Sequence, residues 1–166
     1  MKQFDRSQCG STMIEVLVSL LIVSFGLLGM AALQAEGIVS NQSAYYRTQA
    51  VTFANDMADR MRANISAVTS GSYDDVAGSS TGACYTVGSC SAAQMAGNDV
   101  FEWSAAVAAS LPGGVGVVCR DASPNDGTPA ANGCAGAGDI YAVKIWWDDD
   151  RDGNPEERVV IEFRPE

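Results

Sequence analysis

Asp148-Asp149-Asp150-Arg151-Asp152-Gly153 places four carboxylates in one short run that ends on glycine. The order matches the D-x-D-x-D-G opening of a calcium loop. There, carboxylates at alternate positions converge on a hard cation and the glycine permits a sharp turn. The residues able to ligate are Asp148, Asp150, Asp152 and, at the ninth position, Glu156. The twelfth position, where a bidentate Glu belongs, holds Val159. The motif is therefore partial. The turn is expected to be a solvated polar hairpin tip that needs no cofactor, with calcium on those four residues as the competing reading. A site of that kind would complete its shell with backbone oxygens and water and bind at roughly 10⁻⁴ to 10⁻³ M.

The cysteines carry the second chemistry. Cys9 stands apart near the N-terminus, and Cys84, Cys90, Cys119 and Cys134 follow the apolar segment. An even number in an exported domain reads as two disulfides. Four cysteines allow three pairings, and the local ones, Cys84 with Cys90 and Cys119 with Cys134, are preferred here. Buried free thiols compete with this reading. A four-cysteine zinc site fits less well, because no C-x2-4-C pair occurs. The chain has no histidine. That removes the commonest general base, the commonest metal ligand and every Ser-His or Cys-His device. With no nucleophile–base pair and no phosphate loop, an enzyme is not expected.

The most specific spacing lies at the start. Lys2 and Arg6 precede Gly10, four residues separate Gly10 from Glu15, and Val16 to Leu33 follow without a charge. A carboxylate at the mouth of a membrane span is costly unless something pairs with it. The uncharged stretch, as a helix, covers about 27 Å, close to the thickness of a hydrocarbon core. Ser19 and Ser24 are tolerated there because a helical hydroxyl can bond back to its own backbone. The basic residues ahead of the span place the N-terminus in the cytoplasm and the remainder outside. Gly26 and Gly29 mark either close helix contact or a weak point of the helix.

These residues resemble the class III signal of type IV prepilins. The resemblance implies cleavage after Gly10 by a dedicated prepilin peptidase, Ser11 as the N-methylated first residue, and Glu15 as the fifth. The family usually has Phe at the position of Ser11. Glu15 is then expected to meet the free amine of a neighbouring Ser11 during subunit assembly.

Beyond the span the pattern becomes amphipathic. Tyr46, Ala50, Phe53, Met57, Met61 and Ile65 recur every three or four residues. One helix from Thr12 to roughly Ile65 is expected, its outer half offering a stripe for a domain. Residues 66–98, rich in Ser, Gly and Ala, read as a long surface loop. Asp99 reads as an N-cap of a short helix that carries Phe101, Ala105 and Leu111 and is ended by Pro112-Gly113-Gly114. Three strands follow: Val115 to Arg120, one alternating through Tyr141, Val143, Ile145 and Trp147, and one alternating through Val159, Ile161 and Phe163. The acidic turn joins the last two as a hairpin. Of the adjacent Trp146 and Trp147, one is expected in the core. The other is left open, either exposed for a neighbouring subunit or covered by the loop. Asn41 and Asn64 stand in N-x-S triplets that are common by chance.

The expected fold class is α+β: a long N-terminal helix, its first half in the membrane, against a small antiparallel sheet. Its boundaries are a leader over 1–10, the membrane half of the helix over 11–33, and a periplasmic or extracellular domain over 34–166. This order resembles a type IV pilin. Ile22 to Gln34, Ala54 to Asn64, and Trp103 with Leu111-Pro112-Gly113-Gly114 look like the PilV minor-pilin group, the type IV pilus modification proteins. That resemblance implies a minor pilin that helps start and cap the pilus. Its partners would be other pilin subunits and minor pilins, a tip adhesin, the prepilin peptidase and the inner membrane. A type II secretion pseudopilin and a DNA-uptake or adhesion pilin are the alternatives. The chain has 10 Lys+Arg against 20 Asp+Glu; without Lys2, Asp5 and Arg6 the balance is 8 against 19. A surface this acidic makes nucleic acid an unfavourable partner.

Overall fold

A helix that is apolar all round needs lipid or neighbouring helices, whereas a striped one needs a single core. Both patterns occur within α1, Met13–Ala63. The computed structural model describes residues 12–88 and 90–165. It forms two compact units, Met1–Gln42 and Ser43–Glu166.

In the first unit every described residue is exposed. The helix is long and apolar enough to cross a membrane. Ser19 and Ser24 donate to the carbonyls of Glu15 and Leu20, each at 2.7 Å, so both hydroxyls are satisfied within the helix.

In the second unit α1 buries Tyr46, Ala50, Ala54, Met57, Ala58 and Met61. Phe53 is half-buried against this core, and Ile65 is exposed. The helix stops two residues before the expected end. Asn64 breaks it, and a short α2, Ile65–Thr69, follows. The Asn64 side-chain amide donates to Ala92 O at 2.8 Å and to the Tyr73 hydroxyl at 3.3 Å, so this N-x-S asparagine is engaged in the fold.

The expected loop over 66–98 is shorter than its composition suggests. It contains a 3-10 turn, Gly82–Tyr85, and gives way to α3, Ala92–Ser110. The N-cap is Ser91, not Asp99. Ser91 Oγ accepts from Gln94 N, and Gln94 Oε1 accepts from Ser91 N, a capping box that satisfies two helix-terminal donors. Asp99 lies within the helix and is buried. The inward face of α3 is Ala96, Val100, Trp103 and Val107. Phe101 and Ala105 face outward, and Leu111, at the C-cap, is buried.

The sheet is β1 Val115–Arg120, β2 Tyr141–Trp147 and β3 Glu157–Phe163, antiparallel in that order. Val118 pairs with Val143, and Val143 with Ile161. Tyr141, Val143, Ile145 and Trp147 join the core shared with α1 and α3. An added Cβ on Gly116 would lie 2.6 Å from the Trp103 ring, so only glycine admits the indole there. The Trp103 Nε1–H donates to the Phe53 carbonyl at 2.8 Å and ties α3 to α1.

The other face of β2 is buried too. Ala142, Lys144 and Trp146 lie beneath the segment 121–139. Both tryptophans are therefore internal, and the loop covers the outer one. The Lys144 side chain is fully buried. Its ammonium bonds to Asp121 Oδ2, to Asp126 Oδ1 at 3.1 Å and to the carbonyls of Asn132 at 2.9 Å and Asp126 at 3.2 Å. Arg158 holds the same loop through the carbonyls of Asn125 and Gly127.

Candidate functional site

Glu15 sits in the first turn of α1, where a carboxylate meets the positive end of the helix dipole. Its N–H donates to Thr12 O at 2.9 Å. It lines a shallow groove with Val16, Ser19, Leu20 and Val23. Gly10 and Ser11, the expected processing residues, and the leader 1–10 lie outside the described residues.

The structure joins Cys84 to Cys90 and Cys119 to Cys134, with Cα–Cα distances of 4.7 and 5.9 Å. The first closes a small loop beside the start of α3. The second links β1 to the loop that covers the outer face of β2. Closing fifteen residues contributes about 3 kcal/mol by loop-closure entropy.

In the acidic turn, one oxygen from each of Asp148, Asp150 and Asp152 lies within 4.8 Å of the others. Glu156, expected as the fourth ligand, does not join them; it is exposed and lines a different groove with Trp146 and Arg158. The turn also uses its carboxylates internally. Asp148 accepts from Gly153 N at 2.8 Å and Asp152 N at 3.2 Å, Asp150 accepts from Asp152 N at 3.3 Å, and Asp152 accepts from Asn154 N at 2.7 Å. Arg151, at a φ of 62°, turns back to donate to the Tyr46 hydroxyl at 2.9 Å. The carboxylates thus fold the hairpin tip by accepting its backbone donors.

A polar network missed in the sequence joins α1 to α3. Tyr73 donates to Asp99 at 2.6 Å, and Arg60 reaches Asp99 at 3.4 Å and Glu102 at 3.3 Å. Tyr85 donates to Glu102 at 2.9 Å. Burial, reinforced by Asp99, raises the Tyr73 phenol well above its ordinary range. The hydrogen bond from Tyr85 leads the groups that lower Glu102, with Arg60 and Asn98 adding to it. The available signal was the charge pattern: Asp99 and Glu102, three apart, are isolated in an otherwise uncharged stretch.

A long apolar N-terminal helix, with a small three-stranded antiparallel sheet at its far half, is the architecture of a type IV pilin. Two comparisons agree. Residues 32–101 match the family described as Type IV pilin Tt1218, and residues 5–31 match the prokaryotic N-terminal methylation motif. Together these support the type IV pilin superfamily, whose members are in general structural proteins. They imply processing by a prepilin peptidase and assembly with other pilins. The motif and the apolar helix fit membrane anchoring. No curated protein and no solved structure matches the chain.

Proposed function

We propose that this chain is a minor pilin of the PilV group that helps initiate and cap a type IV pilus, with other minor pilins and a tip adhesin as partners. The observation that carries the pilin role is the joining of a Gly10–Glu15 signal and an uncharged helix to a pilin-type domain. The finer assignment rests on the likeness of Ile22 to Gln34 and Ala54 to Asn64 to that group. In this reading the peptidase cuts after Gly10, Ser11 is methylated, and the domain faces the periplasm before the subunit enters the pilus tip. Glu15 pairs with the Ser11 amine of a neighbour, offsetting the cost of a carboxylate among apolar helices and setting register. The acidic turn serves as a hairpin tip without a cofactor.

The test combines processing with incorporation. Mass spectrometry of the membrane fraction should find a mature chain beginning at Ser11, and Gly10→Val should retain the leader. Glu15→Val should insert normally, because the span becomes more apolar, yet fall in sheared pili and in co-isolation with other minor pilins. An intact leader in cells with active peptidase would overturn the processing step. Wild-type recovery of Glu15→Val would remove the charge pair. Co-isolation with secretion components in place of pilus components would identify a pseudopilin.

A further inference from the structure

Asn132-Gly133 is the one Asn-Gly pair in the chain, and it lies in the loop that covers the outer face of β2. The fold requires the glycine. Gly133 has a φ of 72°, and an added Cβ would lie 2.3 Å from Asp126 Oδ1. That carboxylate is held by Lys144 at 3.1 Å and by Ser123 at 2.8 Å. The nitrogen that follows Asn132 therefore belongs to a residue with no side chain to shield it. Gly133 is exposed, and its N–H makes no hydrogen bond among the described residues. The Asn132 side chain folds over the same peptide, because its Oδ1 accepts from Cys134 N at 3.1 Å, an Asx-turn. That bond polarises the amide carbonyl and stands where charge would develop on Oδ1. Asn132 is also a junction. Its Nδ2 donates to Asp75 Oδ1 at 3.1 Å, its main-chain carbonyl accepts from Lys144 at 2.9 Å, and Asp75 N donates in turn to Val118 O of β1 at 3.0 Å.

We propose that Asn132 is a self-modification site: it deamidates in the folded protein, and the product releases the covering loop from Asp75. Hydroxide takes the Gly133 N–H proton, and the Gly133 nitrogen bonds to Asn132 Cγ. The Cγ–Nδ2 bond breaks, Nδ2 takes its third hydrogen from water, and ammonia leaves. Water then opens the cyclic imide at one of its two carbonyls. Opening at Cγ gives aspartate; opening at the main-chain carbonyl gives the β-linked isomer. Water is the only co-reactant. Either product replaces a donor amide by a carboxylate. The new charge faces Asp75 across what was a hydrogen bond, and like charges at that range repel. The β-linked isomer also reroutes the main chain at the carbonyl that Lys144 holds. The loop 121–139 then keeps Lys144, Arg158 and the Cys119–Cys134 bond but loses its tie to the Asp75 segment. The step involves no other subunit, so it is independent of the pilin role.

The experiment ages the full-length chain in membranes, in warm and mildly alkaline buffer, beside the same chain reduced and unfolded. Trypsin then releases the peptide from Asp121 to Lys144, which carries Asn125 and Asn132 together. Asn125 is the internal control: Asp126 follows it, and its carbonyl accepts from Arg158 at 2.7 Å. Fragment masses should show amide turning to acid at Asn132 and not at Asn125, faster as the pH rises. Reaction in the unfolded chain alone, or equal reaction at both asparagines, would overturn the site. The release is read with Asn132→Asp. A broad-specificity protease should cut the loop 121–139 about tenfold faster in that variant, the change that about 1.4 kcal/mol of lost closure gives. Pairing Asn132→Asp with Asp75→Asn exchanges donor and acceptor and should return cutting to the wild-type rate. Wild-type cutting of the single variant, or fast cutting of the exchanged pair, would overturn the release.

Discussion

The two faces of β2 are buried by different physics. The inner face, Tyr141, Val143, Ile145 and Trp147, closes by apolar contact with α1 and α3. The outer face has Lys144 at its centre and closes beneath a loop rich in glycine, proline and asparagine, held by an ammonium group, two aspartates and backbone carbonyls. Apolar burial is non-directional and tolerates neighbours of similar shape. A buried ion pair is directional, and losing one partner leaves the other charge stranded. The inner face should thus respond to volume and the outer face to charge balance.

The largest effects should separate these modes. Trp147→Ala, at a side chain 1% exposed, should cost about 3–5 kcal/mol in urea unfolding of the unit Ser43–Glu166. Asp121→Ala should cost about 3 kcal/mol, because only the half-exposed Asp126 then offsets the buried Lys144 charge. The distinguishing variant is the double change Asp121→Leu with Lys144→Met. It should recover much of the single-mutant loss, because removing both charges removes the desolvation penalty. A double mutant as unstable as the sum of its parts would show that the loop depends on the ammonium's carbonyl contacts and not on charge balance.

How much of this was legible follows from the same contrast. The strands and the inner face could be read because Tyr141, Val143, Ile145 and Trp147 alternate, and apolar burial has a period. The outer face could not. Ala142, Lys144 and Trp146 read as the solvent side of that alternation, and the covering loop has no period of its own. The start of α3 was missed for a related reason. After the Ser91–Gln94 box, Met95 is followed by Ala96, Gly97 and Asn98, too small and mixed to show a stripe, while Asp99 has the look of a cap. The acidic run supplied three clustered carboxylates at 148, 150 and 152, but Glu156 points to another groove, which ligand spacing alone does not reveal.

The next effect in size concerns what fastens the covering loop. Replacing Cys119 and Cys134 by serine should cost about 3 kcal/mol, and replacing Cys84 and Cys90 about 2 kcal/mol, because the second loop is shorter. Thermal scans of both pairs check the order; equal losses would mean that contacts around the bonds outweigh chain entropy. The smallest effect belongs to the turn at the end of β2. Millimolar calcium should leave the melting temperature nearly unchanged, since the carboxylates already hold backbone donors. A site with a Kd near 0.1 mM would instead add about 1.4 kcal/mol at 1 mM ion. That would appear as a shift of roughly several degrees, which magnesium would not mimic and Asp150→Ala would abolish.

The bond between Cys84 and Cys90 also changes the meaning of a proteolytic cut. Tyr85 and Val87 stand exposed between its ends, the kind of loop that proteases nick. A break there separates no fragments, because both flanks remain covalently joined. The segment before the break stays fixed through Tyr73, Asn64 and Asp99, and the segment after it through the capped start of α3. A nicked subunit would keep its core and migrate as one species until reduced, so this exposed loop can be severed without loss of the subunit.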